Sequence, residues 1–146
     1  MGSKPLFLGP DEGRWLQVLA DRVRVLAAGA ETGGRYEMFE LSGTQGSGPP
    51  RHAHPWDEAY YVVDGAVEID AGRAWSGVAG PGAFVLVPGE AAHSFRIASP
   101  TARFLVLTAA AGAGAFFEAM DREIGFPPPS ADAVVGVATR HGLRPA

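Results

Sequence analysis

The chain alternates between short runs of β-branched and aromatic residues and breaks that are rich in glycine and proline. Runs of this kind, separated at short intervals by turn-forming residues, are typical of many short strands joined by turns. No long helical period precedes residue 112. The pattern predicts strands at 22–25, 36–41, 58–63, 66–69, 84–87, 93–97 and 103–108, with a loop at 42–50.

Two of these segments carry a more specific signal. Asp64-Gly65 is a strong hairpin turn between the strands at 58–63 and 66–69. The run at 84–87 is apolar at every position, which predicts a strand buried on both faces. Short strands at this spacing favour an all-β sandwich or barrel with mainly antiparallel pairing.

The C-terminal part of the chain has helical periodicity instead. Large apolar residues recur at helical spacing in 113–124, which predicts an amphipathic helix whose apolar face covers the barrel. The prolines at 127–129 stop this helix, and Ser130 is placed to cap a last helix at 131–141. The apolar residues of the first helix are Phe116, Phe117, Met120 and Ile124.

Length and composition fit one globular domain. The 146 residues are 47% hydrophobic and 19% charged, which is enough to bury one core and is unlike a disordered chain. No linker or internal repeat divides the sequence. We expect a single domain at 1–146, with a barrel core at about 20–111 and a helical tail at 112–146.

Charge and cysteine content exclude several classes of function. The formal net charge is −4 and no basic patch is visible, so neither a nucleic acid nor an anionic membrane surface is an expected partner. The sequence contains no cysteine, which removes disulfides, thiolate metal sites and cysteine nucleophiles. It has neither a secretion signal nor an apolar run long enough for a membrane helix. We therefore expect a cytoplasmic protein.

Three of the four histidines lie at or beside the starts of predicted strands. His52 and His54 have the i, i+2 spacing that sends both side chains to one face of a strand, with Cα atoms about 6–7 Å apart. Glu58 has the same parity, but a straight strand would place it about 20 Å from His52, so the chain must bend at 55–57. His93 has to come from another strand. We expect these three imidazoles and one carboxylate to hold a single metal ion.

This ligand set suits a divalent transition metal, and Fe, Mn, Ni, Cu, Co and Zn all stay open. Four protein ligands on an octahedral ion leave two positions for water, substrate or dioxygen, whereas a tetrahedral ion has none unless Glu58 dissociates. The alternative for Glu58 is to orient a histidine by a hydrogen bond without binding the metal. The alternative for the histidines is an ordinary hydrogen-bonded or exposed position on a strand. His141, at the end of the last predicted helix, is interpreted as structural.

The ligand spacing resembles the first sequence motif of the cupin family. Every fixed position of that motif is present, in the order Gly46-x5-His52-x-His54-x3-Glu58-x6-Gly65. Outside the histidine motif, the stretches GRW (13–15), TGG (32–34) and GSGPP (46–50) and the helix with Phe116 and Phe117 resemble those of small bacterial quercetin-dioxygenase-like cupins. The resemblance implies an all-β double-stranded β-helix, a jelly-roll barrel with the metal inside near one mouth and short C-terminal helices. It also implies a homodimer.

The second cupin motif is matched in part. Gly82-x5-Pro88 and His93 stand at the expected places. The later glycine of the motif is replaced by Glu90, and its closing asparagine by Ile97. These departures affect the turn before His93 and leave the ligand itself in place.

The resemblance also suggests a catalytic role for Glu58. In flavonol dioxygenases of this type, the motif glutamate is described as both a metal ligand and the base that takes the enolic proton of the substrate. A carboxylate beside a dication is a weaker base than usual, but an enol on the same ion is also a stronger acid, so this chemistry is compatible with the residues.

Five further residues are expected to line an apolar substrate cavity. They share the strand parity of the ligands, lie in the bend between them, or face the same space from the strand at 36–41. They are Tyr36, Met38, Trp56, Tyr60 and Phe95. Packing in an ordinary core is the alternative for each of them.

Several functions stay open, because one barrel fold hosts many unrelated reactions. The leading hypothesis is a metal-dependent enzyme that acts on a small apolar, aromatic or enolisable molecule, as a quercetinase-like dioxygenase. The second is a non-oxidative cyclase or isomerase that uses the metal as a Lewis acid, a role that similar small cupins have in polyketide tailoring. The others are a barrel that binds a small molecule without chemistry and a purely structural barrel.

Overall fold

The computed structural model describes residues 4–146, and within them the fold is built mainly from strands. The predicted domain begins at residue 1, so its first three residues lie outside this part. The strands are β1 (Arg14–Val18), β2 (Asp21–Ala27), β3 (Tyr36–Thr44), β4 (His52–Ala53), β5 (Glu58–Asp64), β6 (Val67–Asp70), β7 (Ser76–Ala79), β8 (Phe84–Val87), β9 (Ser94–Ile97), β10 (Thr101–Ala109) and β11 (Arg144–Pro145). The helices are α1 (Gly29–Thr32), α2 (Ala113–Ala119) and α3 (Ala131–Arg140), with a π-helical turn at Met120–Ile124.

Two antiparallel sheets contribute buried side chains to one core. The larger sheet has six strands in the order β1-β2-β3-β10-β5-β8, and the smaller has three in the order β7-β6-β9. The short strands β4 and β11 pair with each other in a separate two-stranded ribbon. The chain thus forms the all-β jelly-roll barrel that the sequence predicts.

The central strand β10 shows how the larger sheet holds the core. Every second residue from Ala102 to Thr108 is buried, and the residues between them are exposed or half-buried. Val106 faces Tyr60 across the register, and the rings of Tyr60 and Phe104 lie 6.0 Å apart. Burying side chains of this size contributes roughly 1.5–3 kcal/mol each. The inner face of this sheet is therefore a main source of stability.

The segment at 84–87 departs from the prediction. It forms the edge strand β8, and within residues 4–146 its only strand partner is β5. Phe84 and Leu86 are 63% and 57% exposed, whereas Val87 is buried. The expectation of a strand buried on both faces is wrong, because in the described residues no layer covers the outer face of the sheet at β8.

Periodicity also left several short elements unpredicted. The strands β1, β4, β7 and β11 and the helix α1 are too short, or too mixed in polarity, to give a clear period. Of these, β1 lies N-terminal to the predicted barrel core and extends the larger sheet beside β2.

The C-terminal tail folds back over the barrel. The helix predicted at 113–124 is α2 followed by the π-helical turn. Phe117 of α2 packs edge-to-face on Phe39 of the barrel, with ring centroids 4.9 Å apart. The hydroxyl oxygen of Ser130 accepts a hydrogen bond from the backbone N–H of Ala133, which confirms the predicted cap of the last helix. In the described residues, no helix is long and apolar enough to cross a membrane.

Candidate metal centre

The four candidate ligands come from two chain segments that meet beside the smaller sheet. His52 lies in β4, His54 directly follows that strand, and Glu58 begins β5. His93 precedes β9 and pairs with His52 through two backbone hydrogen bonds of 2.9 Å, one in each direction. This pairing places the two imidazoles side by side, with ring centroids 4.6 Å apart.

The bend predicted at 55–57 is present and is tied to the turn before β9. The carboxylate of Asp57 accepts a hydrogen bond of 2.7 Å from the backbone N–H of Gly89. The N–H of Glu90 donates to the carbonyl of His54 over 2.7 Å. The bend therefore removes the separation of about 20 Å that a straight strand would impose on the two ends of the motif.

Glu90 occupies a backbone conformation that favours glycine. Its φ of +69° lies in the left-handed region, where residues other than glycine are uncommon. This is the position where the second cupin motif has a glycine, so the turn keeps the geometry that a glycine would adopt. The carboxylate of Glu90 forms an ion pair with Arg144 of β11, which links this turn to the C-terminal strand.

The ligand atoms converge on one point. One nitrogen from each histidine and one carboxylate oxygen of Glu58 all lie within 4.8 Å of one another. Nε2 of His54 is 2.8 Å from Oε2 of Glu58, and Nε2 of His93 is 3.0 Å from the same oxygen. His54, Glu58 and His93 are buried, and His52 is partly exposed. The fold thus brings together all four residues that the sequence predicts.

Each histidine is oriented by a hydrogen bond from its other ring nitrogen, Nδ1. The acceptors are the carbonyl of Pro50 for His52 at 2.8 Å, that of Trp56 for His54 at 3.0 Å and that of Ala91 for His93 at 2.9 Å. A carbonyl oxygen can only accept, so Nδ1 carries the proton and Nε2 of the neutral ring keeps its lone pair. Bonds of this kind fix the tautomer and the ring orientation of metal-binding histidines.

This donor set fits a divalent transition ion. The Nε2 lone pairs of His54 and His93 face a carboxylate oxygen at 2.8 and 3.0 Å. Two acceptors at such a distance repel each other unless a proton or a cation lies between them. Imidazole and carboxylate together bind several first-row divalent ions, and the donors alone do not choose among them.

The same contacts set the charge of the site. Burial raises the pKa of Glu58, but His54 and His93 outweigh it through hydrogen bonds and positive charge, which they supply when a proton lies on the Nε2 atom that faces the carboxylate, and the net pKa lies well below the ordinary value. Burial lowers the pKa of His93, whereas Glu58 raises it, and the net shift is upward. The pKa of His52 is lowered, chiefly by burial. Glu58 is therefore ionised at neutral pH, as a metal ligand must be.

A cavity of about 210 Å³ lies beside the metal ligands, and its wall is mostly apolar. Three of the five predicted substrate residues line it, namely Trp56, Tyr60 and Phe95. Trp56 stacks on the ring of His54, with centroids 4.5 Å apart and an interplanar angle of 12°. Tyr60 and Phe95 meet at 6.1 Å with their rings inclined by 66°. Binding of a substrate by these residues stays a prediction.

Tyr36 and Met38 do not line the cavity. Both lie on the outer face of β3, and Tyr36 is 43% exposed. The opposite parity faces inward, with Glu37, Phe39 and Leu41 buried. The expectation that Tyr36 and Met38 face the substrate space is wrong, because apolar residues occupy both faces of this strand and hydrophobicity alone does not select the inner one.

The buried carboxylate of Glu37 holds the start of α2. Its Oε1 accepts hydrogen bonds from the backbone N–H groups of Gly112 and Gly114 at 2.9 and 3.0 Å. Its Oε2 accepts one from Gly29 at 3.0 Å. Glu37 thereby positions a helix that forms part of the cavity wall. The sequence alone does not single out Glu37, because the same strand carries a second acid, Glu40, which is only partly buried.

The remaining residues of the cavity wall belong to no short sequence motif. The helical tail supplies much of the apolar surface, through Phe116, Phe117, Met120, Val134, Ala138 and Leu143. Asp21, a buried acid at the start of β2, lines the same cavity. These residues are far from the motif in sequence, so only the folded chain brings them to it.

Comparison with known proteins agrees with this architecture. Residues 40–108 match the family model of the cupin domain. Among curated protein sequences, none matches the chain. Solved structures with a similar fold include the polyketide cyclase RemF from Streptomyces resistomycificus, with a TM-score of 0.63 and 19% identity, covering 73% of this chain and 80% of that one.

Two further similar structures differ in how much of their own length is matched. KdgF from Halomonas sp. has a TM-score of 0.66 and 20% identity, with 75% of this chain and 99% of that chain covered. Oxalate decarboxylase from Bacillus subtilis has a TM-score of 0.63 and 17% identity, with 75% of this chain but only 30% of that chain covered. At these identities the likeness establishes the fold.

The matched region contains all four converging ligands and both motif segments. Its strands form the jelly roll that the similar structures share. Residues 40–108 match the cupin domain model, and this part of the chain has the cupin fold.

Proposed function

We propose that this cupin is a metal-dependent enzyme that acts on a small, largely apolar aromatic or enolisable molecule, with quercetinase-like dioxygenation as its reaction. The observation that carries the proposal is the convergence of three Nε2 lone pairs and one carboxylate at the edge of an apolar cavity. Such a cavity favours an aromatic body, and the ligand cluster favours an acidic oxygen at one end of it.

A divalent ion held by His52, His54, Glu58 and His93 would supply Lewis acidity toward an enolic oxygen and a place for dioxygen, the oxidant of this reaction. The carboxylate of Glu58 lines the cavity and is ionised, so it is free to take the enolic proton, and the acidity that a bound cation would give the enol offsets the weak basicity implied by the lowered pKa of Glu58. Trp56, Tyr60 and Phe95 hold the aromatic body. The apolar residues of the helical tail form part of the wall around it.

The test is oxygen consumption by protein loaded with one metal at a time. With 3-hydroxyflavone as substrate, at least one redox-active ion is expected to give oxygen uptake, and the Glu58→Gln variant reloaded with the same ion is expected to lose most of it. Elemental analysis of both proteins separates loss of metal from loss of the base. Absence of uptake with every ion, in protein shown to contain it, would contradict dioxygenation.

A non-oxidative cyclase or isomerase is the second candidate. It is supported by the fold shared with the polyketide cyclase RemF and by a donor set that Zn²⁺ also accepts. Turnover of an enolisable aromatic substrate without oxygen, at similar rates with zinc and with iron, would favour this reaction over dioxygenation. Tight binding of such compounds without any turnover would favour a binding protein instead.

The remaining expectations concern the state of the protein in the cell. A homodimer and a cytoplasmic location stay predictions. Light scattering on the metal-loaded protein tests the first, and fractionation of cells that produce it tests the second.

A further inference from the structure

A second buried carboxylate lines the same cavity as the metal ligands. Asp21 lines the cavity and is 5% exposed. Its Oδ1 accepts a hydrogen bond of 2.5 Å from the hydroxyl of Ser47. In residues 4–146, no donor bonds to its second oxygen, Oδ2, which leaves that oxygen able to accept a hydrogen bond from a molecule in the cavity.

The register of the larger sheet places Asp21 far from Glu58. Arg22, next to Asp21, pairs with Ser42 of β3, and Ser42 pairs in turn with Arg103 of β10. Glu58 pairs with Thr108 of the same strand β10. The two positions on β10 are five residues apart, which corresponds to about 17 Å of strand. The two carboxylates therefore lie toward opposite ends of the barrel.

The loop at 47–52 gives a second measure of this distance. At one end, the N–H of Ile97 donates to the carbonyl of Ser47 over 2.9 Å, and at the other, the N–H of His52 donates to the carbonyl of His93 over 2.9 Å. His93 and Ile97 are four residues apart along this segment, which corresponds to about 13 Å. Because a ligand contacts each carboxylate at a hydrogen-bond distance of about 2.8 Å, the length left for the ligand itself is on the order of 10 Å.

The wall between the two ends is apolar or aromatic, with Leu41, Tyr60 and Phe95 among its residues. Burial raises the pKa of Asp21, and only the hydrogen bond from Ser47 opposes this shift. A carboxylate with so few donors in an apolar wall gains strongly from a further one. The chemistry that satisfies it is a hydroxyl or another neutral N–H or O–H group.

We propose that Asp21, held by Ser47, positions the substrate by accepting a hydrogen bond from a hydroxyl at the end remote from the metal ligands. The inference rests on the proposed function, because it takes this cavity as the substrate site. It narrows the substrate class to elongated, largely apolar molecules with an enol or phenol at one end and a second hydroxyl on the order of 10 Å away.

The test compares three flavonols that differ only at the remote end. They are 3-hydroxyflavone, 3,4′-dihydroxyflavone and 4′-methoxy-3-hydroxyflavone, each titrated into zinc-loaded protein without oxygen. Wild type is expected to bind the dihydroxy compound roughly 10-fold more tightly than 3-hydroxyflavone. The methoxy compound, which has similar size but no donor, is expected to show no such gain.

Variants at Asp21 are expected to remove this preference. In Asp21→Ala the ratio of the affinities for the dihydroxy compound and for 3-hydroxyflavone should fall to about one. Asp21→Asn, which keeps the shape and a neutral acceptor, should lower the ratio at least about threefold. The matched control Asp11→Ala, which removes an exposed acid, should leave the ratio unchanged.

The outcomes separate this inference from the proposed function. Equal affinities in wild type, or a ratio that Asp21→Asn and Asp21→Ala both leave unchanged, overturn the role of Asp21 while the cavity remains the substrate site. If Asp21→Ala does not fold, the ratio in Asp21→Asn decides. If no flavonol binds to wild type that contains its zinc, the proposed function fails and the role of Asp21 fails with it.

Discussion

Two buried carboxylates lie toward opposite ends of one cavity, and their surroundings shift their pKa values in opposite directions. At Glu58 the raising effect of burial is outweighed by contacts with His54 and His93, and the net pKa is lowered. At Asp21 burial dominates over the single hydroxyl of Ser47, and the net pKa is raised. The difference shows that the number and charge of nearby donors, and not burial itself, decide what a buried acid can do.

The two ends therefore suit different ligands. The metal end, formed by His52, His54, Glu58 and His93, collects lone pairs that only a cation or protons can satisfy. The Asp21 end offers a single acceptor to a neutral donor. A molecule that fits both ends must be polar at its two tips and apolar between them.

Removal of a ligand at the metal end should have the largest effect. His93→Ala is expected to lower the affinity for a divalent ion by more than about 100-fold, since loss of a ligand costs more than loss of a residue that merely orients one. The measurement is competition with a chromophoric chelator, followed by elemental analysis. His141→Ala is the matched control, because that histidine lies at the end of α3 against Phe116, away from the ligand cluster.

Retention of one tightly bound ion in His93→Ala would show that the convergence of the four residues is not a metal site. Loss of metal in both histidine variants would instead point to a general effect on the fold, and circular dichroism would reveal it.

Glu37 holds the start of α2, which forms part of the cavity wall, so its removal should lower the stability of the fold. Glu37→Ala leaves three backbone N–H groups without their acceptor and is expected to lower the free energy of unfolding by about 2 kcal/mol. Chemical denaturation measures this. Glu31→Ala, at the exposed α1 turn, is the control and should cost less. An unchanged stability in Glu37→Ala would mean that α2 is held by packing alone.

Neutral replacements of the two carboxylates should change stability with opposite signs in the metal-free protein. At pH 6, Glu58→Gln is expected to lower the free energy of unfolding by about 1.5 kcal/mol, whereas Asp21→Asn is expected to raise it by about 1 kcal/mol. The first removes an ionised group that the fold favours. Asp21→Asn removes a carboxyl group whose ionised form the fold disfavours. Denaturation at several pH values, in the presence of a chelator, measures both.

The pH dependence follows from the signs of the pKa shifts. The contribution of Glu58 is present above its unfolded pKa and is lost as the pH falls, so the penalty of Glu58→Gln should shrink in acid. The charge of Asp21 destabilises the fold only above its unfolded pKa, so the gain from Asp21→Asn should also vanish in acid. The pKa of His93 is raised, and its contribution with Glu58 is lost as the pH rises. The comparison would be contradicted if Glu58→Gln and Asp21→Asn changed the free energy of unfolding with the same sign.

The smallest effect is expected at Ser47. Ser47→Ala removes the hydroxyl that donates to Asp21 and should lower the free energy of unfolding by about 1 kcal/mol at pH 6. The loss should be smaller at pH 3, because the hydroxyl mainly stabilises the ionised carboxylate. Ser42→Ala, on the outward parity of β3, serves as the control. A loss that is equal at both pH values would mean that Ser47 acts through loop packing.

The ligand cluster could be predicted because its information is largely local. The alternation of His52 and His54 sets their common face, the first motif supplies Glu58, and the second motif supplies His93 from a separate segment. The strand at 36–41 is located correctly by the sequence but oriented wrongly, because Met38 and Phe39 are both apolar and either parity could face the core. The same ambiguity explains why the run at 84–87 was assigned to a buried strand.

By itself, the sequence determined which residues can bind a cation and where most strands lie, because ligand chemistry and the two-residue period of a strand belong to the local chain. Only the tertiary structure decided which strand faces are inside, that the helical tail walls the cavity, and that Asp21 lies in it. Those features depend on contacts between residues far apart in the chain, such as Asp21 with Ser47 and Glu37 with Gly112. Such contacts exist only when the whole barrel has closed.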